Sequence, residues 1–234
     1  MWNICEVGKL KILYEDNHII VVIKSVNVPS QEDKTGDIDM LTLVKKYIKE
    51  KYNKPGEVYL GLVHRLDRPV GGVMVFAKTS KAASRLSEQV RTKQMKKKYL
   101  VIADGKFEKQ SGTWQDYLLK NEKLNTSKVV NEQTKNSKLA VLDYEVLKYN
   151  EEINLSLVKV NLHTGRHHQI RVQFASRKHS ICGDQKYGTR GRGKQIALWA
   201  YELSIIHPIT KQELVFRAIP EKVGSWKMLE DVEI

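Results

Sequence analysis

The stretch His64-Arg65-Leu66-Asp67-Arg68-Pro69-Val70-Gly71-Gly72-Val73-Met74-Val75-Phe76-Ala77 joins a charged turn to a continuous apolar run. Pro69 and the pair Gly71-Gly72 interrupt regular backbone, and the five apolar residues that follow read as a buried strand. A single carboxylate, Asp67, stands between Arg65 and Arg68 on a turn that this strand anchors. An Asp kept ionised by nearby guanidiniums can attack or stabilise an electron-poor carbon.

Outward from this turn, strands dominate. Lys11–Tyr14 and His18–Ile23 flank the turn Glu15-Asp16-Asn17, and the second is apolar throughout. Residues 28–37 read as a loop, after which Asp37 caps a helix running to about Tyr52, with Leu41, Val44 and Ile48 on one face. Val58–Val63 leads into the charged turn as a strand. Thr79 or Ser80 caps a second helix, with Ala82, Leu86 and Val90 at spacing four, which ends in a lysine run. Tyr99–Ala103 returns as a strand, and 106–137 is polar and turn-rich, as expected of hairpins and loops. Ala140–Tyr149 and Ile153–Leu162 are strands, Thr164-Gly165 opens a helix over about 166–178, and Ile196–Ile206 and Glu213–Ile219 close the chain as strands. Short turns join most of them, so the expectation is an α+β chain with a mainly antiparallel sheet. No repeat or Pro/Ser linker is evident, which favours a single domain over residues 1–234, its core at about 11–218.

The net charge is +13, and it is localised. Arg91–Lys98 holds five Lys/Arg and no acid, and Lys159–Lys194 holds nine against Asp184 alone. The remainder is balanced, at 26 basic and 26 acidic residues. Localised positive charge is the footprint of a polyanion partner, so nucleic acid is favoured over two merely solvated faces. Two cysteines, Cys5 and Cys182, provide neither a disulfide framework nor zinc spacing, which fits a reducing cytoplasm. Met1–Glu6 does not read as a signal peptide, and no apolar run approaches the roughly 18 residues of a membrane span, so no membrane partner is expected.

Four motifs in order resemble the RluA-type RNA pseudouridine synthases. His64-Arg65-Leu66-Asp67 matches the motif that carries that family's catalytic Asp, with Val70-Gly71-Gly72 in place of its usual Thr-Ser-Gly. Lys97-Lys98-Tyr99-Leu100 is similar to the second motif, whose Tyr lies against the target base. Thr164-Gly165-Arg166-His167-His168-Gln169-Ile170-Arg171 resembles Thr-Gly-Arg-Thr-His-Gln-Ile-Arg, with His167 at the fourth position. Gly183-Asp184-Gln185-Lys186-Tyr187-Gly188 resembles the Gly-Asp-x-x-Tyr-Gly that follows. The resemblance covers roughly residues 11–218. It implies the pseudouridine synthase fold, a mixed and largely antiparallel sheet flanked by helices with a central active-site cleft, without the S4-type domain many relatives carry.

It also implies the chemistry. The bond from ribose C1′ to uracil N1 breaks, the uracil turns, and C5 bonds to C1′. Positive charge develops at the sugar, so a carboxylate belongs beside it. The resemblance makes Asp67 the catalytic carboxylate, Arg171 its charge partner and Tyr99 the ring beside uracil and a candidate acceptor of the C5 proton. Arg65 is the residue associated with base flipping. His64, Leu66, Arg68, Lys98, Arg166, His168, Gln169 and Ile170 are the further expected substrate-binding residues. A redox-neutral isomerisation calls for no metal and no organic cofactor, and the relatives suggest a monomer acting on ribosomal or transfer RNA. Two rivals stand beside this reading. One is a non-catalytic RNA-binding or ribosome-assembly protein of the same fold. The other is a metal-dependent hydrolase built on His163, His167 and His168; Gly165 between the first two, and no third ligand at useful spacing, argue against it.

Overall fold

The structure is a computed structural model that describes residues 10–188 and 193–234. The chain divides into two compact units, each built from separated stretches of sequence. The first comprises residues 10–96 with 200–218, the second residues 97–199 with 219–234. Because the chain leaves the first unit and returns to it, no linker composition marks the division.

In the first unit, β1 (Lys11–Glu15) and β2 (Ile19–Lys24) form a hairpin, and β2 pairs antiparallel with β4 (Gly71–Ala77). The two-residue β3 (Gly61–Leu62) also pairs with β4, so the strand expected over Val58–Val63 forms over that short piece only. β10 (Leu198–Ile206) lies beside β4, and β11 (Glu213–Arg217) pairs antiparallel with β10. Every residue of β4 is buried, and so is all of β2 but Ile23. Burial on both faces explains why these strands read as unbroken apolar runs rather than as alternation.

Two helices flank these strands. In α1 (Met40–Lys51) the buried face is Met40, Leu43, Val44 and Ile48, with Leu41 only half-buried. Its N-cap is Asp39, whose carboxylate accepts from the Thr42 amide at 3.1 Å, not Asp37. Asp37 is two residues too early and instead bonds Arg68. In α2 (Ser80–Arg91) Thr79 is the N-cap, and Ala82 and Leu86 pack on Ile19, Val21, Val73, Val75, Leu203 and Ile205. The helix stops at Arg91; Lys93 takes a left-handed φ of 60°, and the lysine run opens the next strand instead of closing the helix.

The second unit is an antiparallel sheet in the order β5 (Lys96–Asp104), β9 (Leu155–Leu162), β8 (Lys138–Asn150), β6 (Ser111–Asn121), β7 (Thr126–Val130). The polar stretch 106–137 is thus one long hairpin, β6–β7, and its approaches. Helix α3 (Gln169–Ser176) packs on β6 and β7, with Val172 against Leu118 and Ala140. Trp114, Tyr144, Phe107 and Phe174 form an aromatic cluster, and the Arg177 guanidinium sits 4.6 Å from the Trp114 ring centre.

Candidate active site and RNA-binding elements

The charged turn sits between β3 and β4. The Val70 amide donates to the Asp67 carbonyl at 2.9 Å and closes the turn, while Leu66 and Val70 bury their side chains on either side. Asp67 itself is half-buried. His64 Nε2 accepts from the Val75 amide at 3.1 Å, which holds the start of the turn against β4. Gly72, at φ 130°, faces the backbone of Ala200 so closely that a Cβ would overlap the Ala200 carbonyl. This approach is the reason for one glycine of the pair.

Of the arginines near Asp67 in sequence, Arg68 is committed elsewhere. Arg68 donates from Nη1 to Thr35 Oγ1 at 2.8 Å, and its guanidinium pairs with Asp37 and, at 3.5 Å, with Asp33. It therefore ties the loop between β2 and α1 to the turn. Arg65 is exposed and forms no ion pair with another described residue.

Two residues that sequence reasoning missed hold this turn. Lys24, fully buried at the end of β2, donates to the carbonyls of Ser25 at 2.9 Å, Val28 at 2.6 Å and Arg68 at 2.9 Å. All three of its N–H groups are used, as a buried ammonium requires. Burial pulls its pKa down to about 7, the Asp67 carboxylate opposes that fall, and the Arg68 charge adds to it. Ser30, 6% exposed, donates to the Leu66 carbonyl at 2.8 Å and accepts from the Leu66 amide at 3.1 Å. A lysine ending an otherwise apolar buried strand was the available signal for Lys24; Ser30 carries none, because its partner lies 36 residues away.

In the second unit, Tyr99 is a buried β5 residue paired in register with Val160, and Lys98 is half-buried beside it. Burial lowers the pKa of Lys97. A turn at His167-His168 precedes the helix, so α3 begins at Gln169 rather than near 166. His168 occupies the left-handed region at φ 53° as its N-cap, and the Gln169 carboxamide oxygen reaches back to accept from Thr164 Oγ1 at 2.8 Å and the Arg166 amide at 3.1 Å. Gln169 Nε2 also donates to the Val141 carbonyl, and Ile170 is buried. Arg166 is exposed, with Nε donating to the Leu139 carbonyl.

Arg171 on α3 is 4% exposed, and its guanidinium forks onto Asp184: Nε to Oδ2 at 2.8 Å and Nη2 to Oδ1 at 2.6 Å. Asp184 Oδ1 also accepts from the amides of Lys186 and Tyr187, and the Tyr187 ring centre lies 5.2 Å from the Arg171 guanidinium carbon. Burial pushes the Asp184 carboxyl up, but the Arg171 fork and the two amides more than reverse this and hold it below its usual value.

The histidines are engaged with protein groups. His163 Nε2 pairs with Asp143 at 2.6 Å. His167 Nε2 donates to Asn125 Oδ1 at 3.0 Å, with Nδ1 accepting from Ser127 Oγ at 2.9 Å in the tautomer that satisfies both. It stacks on His168, whose Nδ1 shares a hydrogen bond with the Tyr187 hydroxyl at 2.8 Å. The two basic segments lie at the start of β5 and from β9 through α3 onward; Arg190 and Arg192 of the second, like Cys5, lie outside the described residues.

A family model described as RNA pseudouridylate synthase matches residues 18–176. A protein of Bacillus subtilis (strain 168) described as an uncharacterized RNA pseudouridine synthase, YhcT, is 35% identical over 217 residues, covering 91% of this chain and 69% of its own. Ribosomal large subunit pseudouridine synthase C of Haemophilus influenzae is 32% identical over 228 residues, covering 92% of this chain and 67% of its own. Among solved structures, human RNA pseudouridylate synthase domain containing 4 superposes with a TM-score of 0.78 over 96% of this chain and 94% of that one, at 23% identity, and so shares the fold. The order of strands and helices, the four motifs and these matches agree that the chain belongs to the RNA pseudouridine synthase family, in its RluA-type branch.

Proposed function

We propose that this protein isomerises uridine to pseudouridine in ribosomal or transfer RNA, that Asp67 is its reacting carboxylate, and that residues 11–218 act as one catalytic domain. The observation that carries the reading is the treatment of Asp67. Its carboxylate is half-buried on a turn whose backbone is pinned on both sides, while the adjacent Arg68 is committed to Asp33, Thr35 and Asp37. A half-buried carboxylate on a turn pinned in this way is suited to meet positive charge developing at ribose C1′.

In this scheme the N1–C1′ bond breaks, the uracil turns in place, C5 bonds to C1′, and the proton lost from C5 is balanced by the one gained at N1. Arg171, oriented by Asp184, keeps Asp67 ionised during this sequence. Tyr99 supplies a ring face for the uracil and a phenol that accepts the C5 proton, directly or through water. Arg65, exposed beside Asp67, fills the gap left when the uridine leaves its stack. His64, Leu66, Arg68, Lys98, Arg166, His168, Gln169 and Ile170 shape the surroundings. His64 and Leu66 fix the turn, Gln169, Ile170 and His168 fix the base of α3, and Lys98 and Arg166 provide cations for phosphate.

The basic segments account for RNA affinity, so binding weakens steeply between about 50 and 200 mM salt, by roughly 10³-fold if six phosphates are engaged. The deciding experiment maps pseudouridines in total RNA from cells with and without the gene, then from cells carrying Asp67→Ala. A site lost with the gene and not restored by Asp67→Ala supports the reading. Conversion by Asp67→Ala overturns the assignment of Asp67. Binding of RNA without conversion by the wild type overturns the enzyme reading in favour of an assembly protein.

A further inference from the structure

We infer that Ser30 is a positioning residue for catalysis: by bonding both backbone groups of Leu66 it fixes the peptide that presents Asp67. This inference rests on the proposed role of Asp67.

The turn 63–70 connects two strands and has no ladder of its own around Asp67. Leu66 is nevertheless 6% exposed, so its amide and carbonyl need partners inside the protein. Ser30 supplies both from one hydroxyl, accepting from the amide at 3.1 Å and donating to the carbonyl at 2.8 Å. That double bond does what a neighbouring strand does for a ladder residue, and it constrains the φ and ψ of Leu66 together. The Leu66 carbonyl belongs to the peptide whose nitrogen is that of Asp67. A rotation there swings the Asp67 side chain directly.

The surroundings favour a positioning role over a general contribution to the core. Ser30 Oγ also lies 3.7 Å from Met74 Sδ, so the hydroxyl sits in a mainly apolar setting where a lost bond is not replaced by water. On the other side of Asp67, Lys24 holds the Arg68 carbonyl. The segment 24–30 therefore grips the residue before and the residue after Asp67. Misplacement of a reacting group by about 1 Å can cost about 10²-fold in rate.

The test measures single-turnover conversion of a uridine-containing RNA fragment, with RNA affinity and thermal unfolding recorded for each variant. Ser30→Ala is expected to lower the rate at saturating RNA at least 10-fold, with affinity for RNA changed less than twofold. Ser30→Cys keeps the branch point with a slightly larger group that bonds weakly, and falls between Ala and wild type; it also carries the test if the Ala variant does not fold. Leu43→Ala, in the buried face of α1, serves as a destabilised control and keeps the wild-type rate per folded molecule. A Ser30→Ala rate within twofold of wild type, or a loss matched by Leu43→Ala, overturns the inference. Asp67→Ala measured alongside separates the two levels. Conversion that survives it overturns the role of Asp67, whereas an inactive Asp67→Ala beside a fully active Ser30→Ala overturns only the role of Ser30.

Discussion

Asp184 grips Arg171 with both carboxylate oxygens, at 2.6 and 2.8 Å, and both side chains are almost wholly buried. The fork fixes the plane of the guanidinium as well as its position, which a lysine cannot match. Thirteen residues separate the partners, so the pair also staples α3 to the Gly183–Gly188 segment.

Asp184→Asn takes the charged fork away from the buried Arg171 guanidinium, and breaking a buried ion pair costs on the order of 3–5 kcal/mol. Denaturant unfolding is expected to show that loss, and single-turnover conversion is expected to fall with it even where the variant is fully folded. A stable and fully active Asp184→Asn would contradict both parts.

Arg171 and Arg68 are expected to differ sharply. Arg171→Lys keeps the charge but not the fork, and is expected to lose at least about 10²-fold in conversion, in line with a misplaced reacting group. Arg68→Ala removes contacts to Thr35, Asp33 and Asp37 on a partly exposed loop, and is expected to change conversion less than the Arg171 variant does. Rates at saturating RNA, compared side by side, decide the order.

Gly72→Ala is expected to prevent accumulation of folded protein. The residue combines φ 130° with a site where a Cβ would meet the Ala200 carbonyl and amide, so neither the backbone nor the neighbour can give way locally. Gly56→Ala, with open space around it, is the matched control and stays near wild-type solubility.

Glu15 provides a pH signature. Burial raises its pKa, but hydrogen bonds from Lys51, Lys78 and Tyr52 outweigh burial and bring it down to about 2 from 4.5. A carboxyl depressed on folding contributes stability above its unfolded pKa and loses it as pH falls toward the folded value. Glu15→Gln is therefore expected to be less stable than wild type by about 2–3 kcal/mol above pH 5, and the difference is expected to shrink between about pH 4.5 and 2. Urea unfolding at a series of pH values measures it.

The caps of α1 make a paired test. Asp39→Ala removes the carboxylate that accepts from Thr42, and is expected to cost about 1 kcal/mol. Asp37→Ala removes exposed contacts to Arg68 and Thr35 and is expected to cost less than Asp39→Ala does.

That last pair illustrates where local reading stops. The sequence places the cap at Asp37, but α1 begins at Met40, so Asp39 caps it and Asp37 is left to bond Arg68, 31 residues further on. Where the competing groups were local, the reading held: Thr79 caps α2, and the apolar runs of β2 and β4 pair as buried strands. The opening of α3 failed for a related reason. Gln169 folds back on Thr164 and Arg166, and His168 adopts φ 53°, so the helix starts three residues after the motif suggests.

Period, composition and motif order by themselves determined the α+β class, the position of most strands, the basic segments and the family, because each of these depends on residues near one another in the chain. The motifs also singled out Asp67, Tyr99 and Arg171 by residue type. Tertiary structure alone decided what each charge touches: Arg68 turns to Asp37 and Asp33, Arg171 forks onto Asp184, and Lys24 and Ser30 hold the backbone of Arg68 and Leu66, the residues on either side of Asp67. The physical reason is that a long cationic side chain or a buried hydroxyl is satisfied by whichever partner the fold brings within about 3 Å, and sequence separation sets no preference among those partners.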